Sequence, residues 1–312
     1  ILIMKLGFIG LGRMGFNMAL NIHSKKIDVA VYNRSPEPIK AIKKYGVETA
    51  RSIKELIDKL PKQKIVWIMV TAGKPVDLFI KELLTYLKKD DIVIDGGNSF
   101  YKDSIRRYKF LKNKKIHFVD IGTSGGLAGA RYGACLTIGC DKKIFKKIEP
   151  ICKAVSAKNG YAYVGSAGAG HFVKMVHNGI EYALLQAYAD GFELLFNGPY
   201  KNLDLEKIAA TWQNGSVIRS WLCELAIDVF KKDPKLEKIE GVIGGGETGQ
   251  WAVQTAKEYK VPLGSIELAL NLRYKSKNNP SFAGKVIAAL RNEFGGHKVI
   301  RHKKSHTSQS EV

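Results

Sequence analysis

The sequence predicts an α/β protein with a doubly wound N-terminal domain and an all-helical C-terminal domain. Up to about residue 165, short apolar runs alternate with amphipathic stretches, a pattern typical of parallel βαβ units. Beyond that point the strand patterns stop and only helical periodicity remains. A chain of 312 residues is long enough for two domains with separate cores. We therefore expect domains over residues 1–165 and 166–300, followed by a polar, disordered tail over 301–312.

The individual elements follow from apolar runs and their periodicity. The first run, Lys5–Ile9, leads straight into a glycine cluster and then into a helical pattern that ends near residue 24. Further strands are predicted at 28–32, 64–70, 91–95, 116–121, 134–139 and 160–164, with helices at 36–45 and 76–88. In the second domain, helices are predicted at 167–197, 203–213, 216–231, 248–260, 262–276 and 281–293.

The glycine cluster after the first strand indicates a dinucleotide site. It reads Gly10-Leu-Gly12-Arg13-Met14-Gly15, which is G-x-G-x-x-G between a strand and a helix. Glycines at these positions allow a tight turn and a close approach of pyrophosphate, and the helix N-terminus adds free N–H groups. The alternative is a tight turn without a ligand. The motif favours a Rossmann-like, dinucleotide-binding N-terminal domain.

The end of the second strand bears on which dinucleotide binds. NAD enzymes usually carry Asp or Glu there, bonded to the ribose 2′-hydroxyl. This chain reads Asn33-Arg34-Ser35, so no carboxylate repels a 2′-phosphate and Arg34 can pair with one. We therefore expect NADP rather than NAD, with the alternative that Arg34 only stacks on the adenine.

Two further loops follow predicted strands, where ligands of parallel sheets bind. Asn98 stands just after the strand at 91–95 and is a contact candidate, or else a cap of the next helix. The segment 122–130 is rich in small residues that can present backbone N–H groups to an anion, unless it is a plain flexible loop.

Composition narrows the class of protein. The net charge of +21 comes mostly from scattered lysines without a basic stripe interleaved with aromatics, so we expect no nucleic-acid partner. The apolar run at 65–70 is too short to span a bilayer. The cysteines lack metal-binding spacing, which fits a reduced, cytoplasmic protein without a metal site. They are Cys135, Cys140, Cys152 and Cys223.

The helix predicted at 167–197 carries an unusual polar stripe. At about 100° per residue, its members fall within roughly 140° of one face. They are Lys174, His177, Asn178, Glu181 and Tyr182. Such a face would ordinarily be apolar or solvated by Lys and Glu repeats. The mixture of amine, imidazole, amide, carboxylate and phenol after a run of glycines favours a ligand site over a solvated face.

Together these motifs resemble the short form of the decarboxylating 6-phosphogluconate dehydrogenases, within the β-hydroxyacid dehydrogenase superfamily. The resemblance covers about residues 4–297, and the run His-Asn-Gly-Ile-Glu-Tyr at 177–182 is its most specific part. It implies metal-free oxidation and decarboxylation of 6-phosphogluconate to ribulose 5-phosphate and CO2, with reduction of NADP. Lys174 would be the general base, which requires a neutral lysine, and Glu181 would protonate the enediol.

The resemblance also implies the residues that hold the two ligands. The expected substrate contacts are Asn98, Ser124, Gly125, Gly126, His177, Asn178, Tyr182, Arg273, Arg291 and His297. The expected cofactor contacts are Gly10, Gly12, Arg13, Met14, Gly15, Asn33, Arg34, Ser35, Val70, Thr71, Ala72 and Asn98. In that family the C-terminal Arg and His complete the neighbouring subunit's site, which implies a homodimer or homotetramer. The alternative for 291–297 is a helix end with a Gly-Gly cap.

One stretch departs from the family pattern. Gln250 and Ala252 occupy positions where the family has a cation and a hydroxyl. This leaves open a related dehydrogenase that acts on an unphosphorylated acid. A catalytically idle NADP-binding protein is a third hypothesis, against which Lys174 and Glu181 argue.

Overall fold

The computed structural model describes residues 5–301, and the predicted α/β class is confirmed. The strands are β1 (Lys5–Ile9), β2 (Asp28–Tyr32), β3 (Glu48–Thr49), β4 (Ile65–Ile68), β5 (Ile92–Asp95), β6 (His117–Ser124), β7 (Ala134–Gly139) and β8 (Ser156–Gly165). The helices are α1 (Arg13–Ser24), α2 (Pro36–Lys43), α3 (Ile53–Asp58), α4 (Lys74–Leu83), α5 (Tyr101–Lys112), α6 (Gly126–Tyr132), α7 (Lys142–Val155), α8 (Ala169–Asn197), α9 (Leu205–Gln213), α10 (Trp221–Lys232), α11 (Glu247–Glu258), α12 (Gly264–Lys275) and α13 (Phe282–Gly295). The chain packs as two compact units, one up to His177 and one from Asn178.

The first unit is built on one eight-stranded sheet. The strand order is β3-β2-β1-β4-β5-β6-β7-β8, and β7 runs antiparallel to β6 while all other pairs are parallel. The order reverses at β1, which lies between β2 and β4. In open parallel sheets the crevice beyond the carboxyl ends at such a reversal is where dinucleotides bind. The loops after β1, β2, β4 and β5 all leave the sheet at that edge.

Continuous burial explains why these strands form a parallel sheet. All four residues of β4 are buried, as are all four of β5, which is the pattern of strands covered on both faces. Trp67 is fully buried and packs on Phe8 with ring centroids 6.2 Å apart. Burying side chains of this size contributes about 1.5–3 kcal/mol each. The sheet is therefore a rigid base for the loops at its edge.

The second unit is all-helical. Phe192 of α8 and Phe230 of α10 are fully buried, with ring centroids 4.8 Å apart. Val286 and Leu290 of α13 are also fully buried and belong to the same core. Among residues 5–301, no helix has both the length and the apolar character needed to cross a membrane.

The structure adds elements that the sequence did not predict. These are β3, α3, α6 and α7, together with α5, for which the sequence indicated only a helix somewhere after Asn98. Helix α6 occupies much of the segment expected to be a small-residue loop. Helix α10 begins later than predicted because Ser220 caps it, with its Oγ accepting from Cys223 N. In the predicted tail, Arg301 forms an isolated bridge with Ile239, and residues 302–312 lie outside the described residues.

Candidate active site

The glycine-rich loop after β1 has the geometry of a phosphate-binding turn. Gly10 has φ 102°, and a Cβ there would overlap the carbonyl oxygen of Met69. A Cβ at Gly15 would overlap the carbonyl oxygen of Gly10, so this glycine lets α1 pack closely on the loop. A Cβ at Gly12 would meet no atom within 4 Å. Two glycines therefore shape the turn, and Gly12 leaves open space beside the backbone.

A cavity of about 430 Å³ lies at this turn, within the first unit. Most of the predicted cofactor contacts line it, namely Gly10, Gly12, Arg13, Met14, Gly15, Asn33, Val70, Thr71 and Asn98. Arg34, Ser35 and Ala72 are not among the lining residues. The structure adds Met69, Gly96, Gly97 and Thr123, which sequence reasoning missed. Their signal was available, because all four lie at or just beyond the ends of predicted strands.

Asn33 fixes the loop at the end of β2. Its Oδ1 accepts a hydrogen bond from Leu11 N at 2.8 Å, and its Nδ2 donates to the carbonyl oxygen of Ser35 at 2.9 Å. The side chain thus joins the glycine turn to the segment that carries Arg34. A carboxylate at position 33 could accept from Leu11 N but could not donate to Ser35.

Lys174 lies at the carboxyl end of β6. Its Nζ donates to Ser124 Oγ at 2.9 Å and lies 3.5 Å from His177 Nδ1. Ser124 is buried and is the last residue of β6, whereas Lys174 is half-buried in the second turn of α8. The predicted base, one predicted substrate contact and a second member of the polar stripe therefore meet in the first unit.

Gly122 permits this close approach of β6 and α8. A Cβ at this position would overlap the Cβ of Lys174 and would lie 2.5 Å from Thr137 Oγ1. It would also lie 2.8 Å from the carbonyl oxygen of Gly170. Thr137 Oγ1 itself donates to that carbonyl at 2.9 Å. The first turns of α8 are thereby packed directly on the strand that ends in Ser124.

Asp120 holds the start of α8. Its Oδ1 accepts from Gly168 N at 2.6 Å and its Oδ2 accepts from His171 N at 2.8 Å. These bonds satisfy N–H groups that have no partner inside a helix. Burial raises the pKa of Asp120 although both N–H bonds oppose this shift. The helix that carries Lys174 is thus capped by a fully buried side chain from β6.

The predicted glycines 125 and 126 form the turn that follows Ser124. Gly125 has φ 107° and Gly126 has φ 60°, both in the region that favours glycine. Gly125 is also the N-terminal cap of α6. These glycines therefore shape the backbone beside Ser124, as a small-residue anion loop requires.

The second unit contains an arginine cluster around Tyr182. The guanidinium carbon of Arg273 lies 3.4 Å from the centroid of the Tyr182 ring, and Tyr182 Oη lies 3.2 Å from Thr248 Oγ1. Arg273 is buried, and its Nη1 makes no hydrogen bond to any described residue. The pKa of Arg273 is lowered to about 10, chiefly by burial, with Tyr182 opposing the shift and nearby Arg291 adding to it. A buried, partly unpaired guanidinium is suited to bind an anion.

Three further predicted substrate contacts belong to the second unit, namely Arg291, His297 and Asn178. Burial lowers the pKa of Arg291, and the charges of Tyr182 and Glu181 of the same chain oppose this shift. The resemblance, by contrast, implies that Arg291 acts in a neighbouring subunit. The ring of His297 packs edge-on against that of Phe294, with the ring centroids 6.0 Å apart. The substrate contacts predicted for His297 and for the buried Asn178 stay predictions.

The two departures from the family pattern differ in exposure. Gln250 is exposed on the first turn of α11, whereas Ala252 is buried. Thr248, which sequence reasoning did not single out, supplies a hydroxyl two residues before Gln250. The motif itself contained this signal, because Thr248 lies in the same first turn of α11 as Gln250.

The doubly wound sheet, the glycine turn at its reversal point and the all-helical second unit define a dinucleotide-binding dehydrogenase. Residues 5–165 match the NAD-binding domain of 6-phosphogluconate dehydrogenase, and residues 170–283 match the C-terminal domain of 6-phosphogluconate dehydrogenase. The chain belongs to the 6-phosphogluconate dehydrogenase family.

Individual relatives agree with this assignment. The chain is 44% identical to YqeC of Bacillus subtilis over 94% of its length and 98% of that protein's. It is 42% identical to the NAD(+)-dependent, decarboxylating 6-phosphogluconate dehydrogenase of Haloferax volcanii, over 96% of its length and 99% of that protein's. The 6-phosphogluconate dehydrogenase of Plasmodium falciparum, solved with NADP+ and with 6-phosphogluconate, superimposes with a TM-score of 0.80. That match is 31% identical and covers 92% of this chain and 70% of the other.

Proposed function

We propose that the chain oxidises 6-phosphogluconate and decarboxylates it to ribulose 5-phosphate and CO2, with NADP as the oxidant. The observation that carries this proposal is the bond from Lys174 Nζ to Ser124 Oγ at the end of β6. It puts an amine and a hydroxyl at the sheet edge that also bears the dinucleotide cavity. Family membership and the substrates named for the relatives support the same reaction.

Lys174 acts as base and acid in turn in this reaction, and Glu181 acts as an acid. A bound nicotinamide supplies the hydride acceptor for C3 of the sugar acid. Lys174 takes the proton of the C3 hydroxyl as the hydride leaves, and it must be neutral to do so. The protonated Lys174 then gives its proton to the 3-keto oxygen while the bond from C2 to the carboxylate breaks, so that CO2 leaves and the enediol forms. Glu181 then gives a proton to the enediol carbon that carried the carboxylate, and Lys174 takes back the proton of the C3 hydroxyl.

The preference for NADP is the finer part of the proposal, since the Haloferax relative is named for NAD(+) and the Plasmodium enzyme was solved with NADP+. Two features support NADP. The loop after β2 carries Arg34 and no carboxylate that would repel a 2′-phosphate. Asn33, which precedes Arg34 in the chain, lines the cavity and accepts a hydrogen bond from Leu11 N of the glycine turn.

The phosphate end of the substrate is assigned to the second unit. Arg273, Arg291 and Tyr182 supply two cations and a phenol in a largely desolvated cluster. A dianionic phosphate would satisfy the unpaired Nη1 of Arg273 and offset the repulsion between the two guanidiniums. Carboxylates alone, with one negative charge, would do so less completely.

We infer a cytoplasmic homodimer or homotetramer. Support comes from the apolar side of α8, where Phe172, Val176, Ile180 and Leu184 are 38–51% exposed at intervals of four residues. A second copy of the chain would cover this apolar row, as expected for a homo-oligomer of this family.

The reaction is tested by following NADPH absorbance with 6-phosphogluconate while CO2 is trapped. We expect turnover with CO2 release, a preference for NADP over NAD, and little rate with unphosphorylated gluconate. Lys174→Ala should abolish turnover and leave NADPH binding nearly intact, because Lys174 does not line the dinucleotide cavity. If neither acid is oxidised, the chain is an idle binding protein or acts on another substrate.

A second candidate is a related dehydrogenase for an unphosphorylated acid, favoured by Gln250 and Ala252. A charge-assisted bond to phosphate is worth about 1.5–3 kcal/mol, so Gln250→Lys should lower KM for 6-phosphogluconate by about ten- to hundredfold if the phosphate lies at α11. KM for gluconate is the control and should stay unchanged. Faster oxidation of gluconate than of 6-phosphogluconate by the parent enzyme would establish this second candidate.

A further inference from the structure

Arg107 is a buried cation that the proposed reaction does not use. It lies on α5 and its side chain is only 1% exposed. Its Nη1 donates to Asp95 Oδ2 at 3.0 Å and lies 3.3 Å from Ser99 Oγ. Its Nε donates to Asp77 Oδ1 at 2.8 Å, and its Nη2 donates to the carbonyl oxygen of Gly73 at 3.0 Å. All three nitrogens of the guanidinium are therefore engaged.

The partners of Arg107 belong to two different loops. Asp95 is the last residue of β5, and it also accepts from Gly97 N at 3.2 Å and from Ser99 Oγ at 2.8 Å. These bonds shape the loop that carries Asn98. Gly73 ends the loop after β4 and is the N-terminal cap of α4.

Both loops form walls of the dinucleotide cavity. The loop after β4 contributes Val70 and Thr71, and the loop after β5 contributes Gly96, Gly97 and Asn98. The guanidinium of Arg107 thus bonds to both of these loops, although Arg107 does not line the cavity. A lysine could not replace it, because a single ammonium cannot reach Asp95, Asp77 and the Gly73 carbonyl in a fixed planar arrangement.

The ion pairs of Asp77 with Arg107 and Arg106 hold the Arg107 side chain in a fixed position. Burial opposes ionisation of Asp77, but the bonds from Arg107 and Arg106 outweigh it and hold the pKa of Asp77 below its usual value. Arg106 pairs with the other oxygen of Asp77 at 2.8 Å but is 55% exposed, and its hydrogen bonds go to Asp77 and Asp103 rather than to either loop. It is therefore a matched neighbour with the same charge and two shared carboxylate partners, Asp77 and Asp103.

From this geometry we infer that Arg107 is a positioning residue for dinucleotide binding: it sets the separation of the Val70–Gly73 and Gly96–Ser99 loops. This inference rests on the proposed function, since it takes the cavity at the glycine turn as the dinucleotide site. Its effect is on the cofactor rather than on the sugar acid, because the loops it joins carry mostly predicted cofactor contacts.

The test compares Arg107→Lys with Arg106→Lys in the full-length enzyme. NADPH affinity is measured by fluorescence titration, KM is measured for NADP and for 6-phosphogluconate, and thermal unfolding checks that each variant is folded. We expect Arg107→Lys to raise Kd for NADPH and KM for NADP by about tenfold, since misplaced binding groups cost factors of this size. KM for the sugar acid should change less than about twofold, and Arg106→Lys should change every constant less than about twofold.

Asp77→Asn covers the case in which Arg107→Lys does not fold. This substitution weakens the bond of Arg107 Nε to residue 77, which is partly exposed, and leaves the buried pair of Arg107 with Asp95 in place. We expect KM for NADP to rise about threefold with unchanged KM for 6-phosphogluconate, because one charged bond is weakened. Equal changes in both KM values, or an NADPH affinity within twofold of the parent in both variants, would overturn the inference. A parent enzyme that binds no NADPH would instead overturn the proposed function itself.

Discussion

Lys174 depends on a neighbouring residue that has no side chain. A methyl group at Gly122 would overlap the Cβ of Lys174 and crowd Thr137 and Gly170. Gly122→Ala should therefore push α8 away from β6 and lengthen the bond from Lys174 to Ser124. Overpacking of this kind costs about 1–3 kcal/mol of unfolding free energy. We expect a lower melting temperature and a reduced kcat, measured by calorimetry and by NADPH absorbance.

Gly191→Ala is the matched control for this prediction. Gly191 lies inside α8, and a Cβ there would meet no atom within 4 Å. The same added methyl group should then stabilise the protein by about 0.5–1 kcal/mol, because alanine loses less backbone entropy in a helix. Equal effects of the two substitutions on kcat would show that Gly122 does not position Lys174.

The sequence predicted the chemistry of single residues better than their surroundings. Lys174 and Ser124 could be named from motif and resemblance, and the structure brings their side chains together. The unpaired Nη1 of Arg273 could not be predicted, because it depends on burial by helices distant in the chain. Arg107 was missed for the same reason, since nothing in its local sequence distinguishes it from the exposed Arg106.

Among the elements, prediction succeeded where a single signal dominated. Strands β1 and β2 have their predicted bounds, because continuous apolar runs between turn residues are unambiguous. The two-residue β3 and the six-residue α3 are too short to show a period. Helix α7 was missed although it has 14 residues, and it contains Pro150, which usually ends a helix.

The capping of α8 by a distant strand gives a prediction at the scale of elements. Asp120→Ala removes the acceptor for Gly168 N and His171 N and leaves both N–H groups without that partner. A buried unpaired donor costs about 1–3 kcal/mol, so we expect a marked loss of unfolding free energy. Because α8 carries Lys174, kcat should fall as well, as measured in the NADPH assay.

Asp204 offers a control cap for comparison with Asp120. Its side chain accepts from Lys207 N at 3.0 Å at the start of α9, where it is exposed. Asp204→Ala should cost about 1 kcal/mol, as ordinary N-caps do, and leave kcat unchanged. If Asp120→Ala keeps the parent kcat while losing stability, then Asp120 serves the fold alone.

For the whole molecule, the division into units lies within α8 rather than before it. The sequence predicted a change of domain at 165–166, where strand patterns end. Packing extends the first unit to His177, because Gly122 lets the first turns of α8 lie against β6. A loss of strand pattern marks where secondary structure changes, but only contacts between distant residues show which turns of a helix pack with which core.

Subunit mixing tests whether Arg291 serves its own chain. The structure puts Arg291 in the field of Tyr182 and Glu181 of the same chain, and its Nη2 is 3.2 Å from where a Cβ of Gly245 would lie. We therefore expect Arg291 to act in cis, so that Lys174→Ala and Arg291→Ala subunits, each inactive alone, stay inactive after dissociation and reassembly together. Native mass spectrometry of tagged subunits verifies the exchange.

The opposite geometry predicts a specific recovery in the same experiment. If Arg291 reached the neighbouring subunit, each mixed dimer would hold one site with both residues intact. Random reassembly makes half of the dimers mixed, so about a quarter of the parent activity would return. Repeating the mixture with His297→Ala in place of Arg291→Ala decides independently whether His297 acts in trans, as the family resemblance implies.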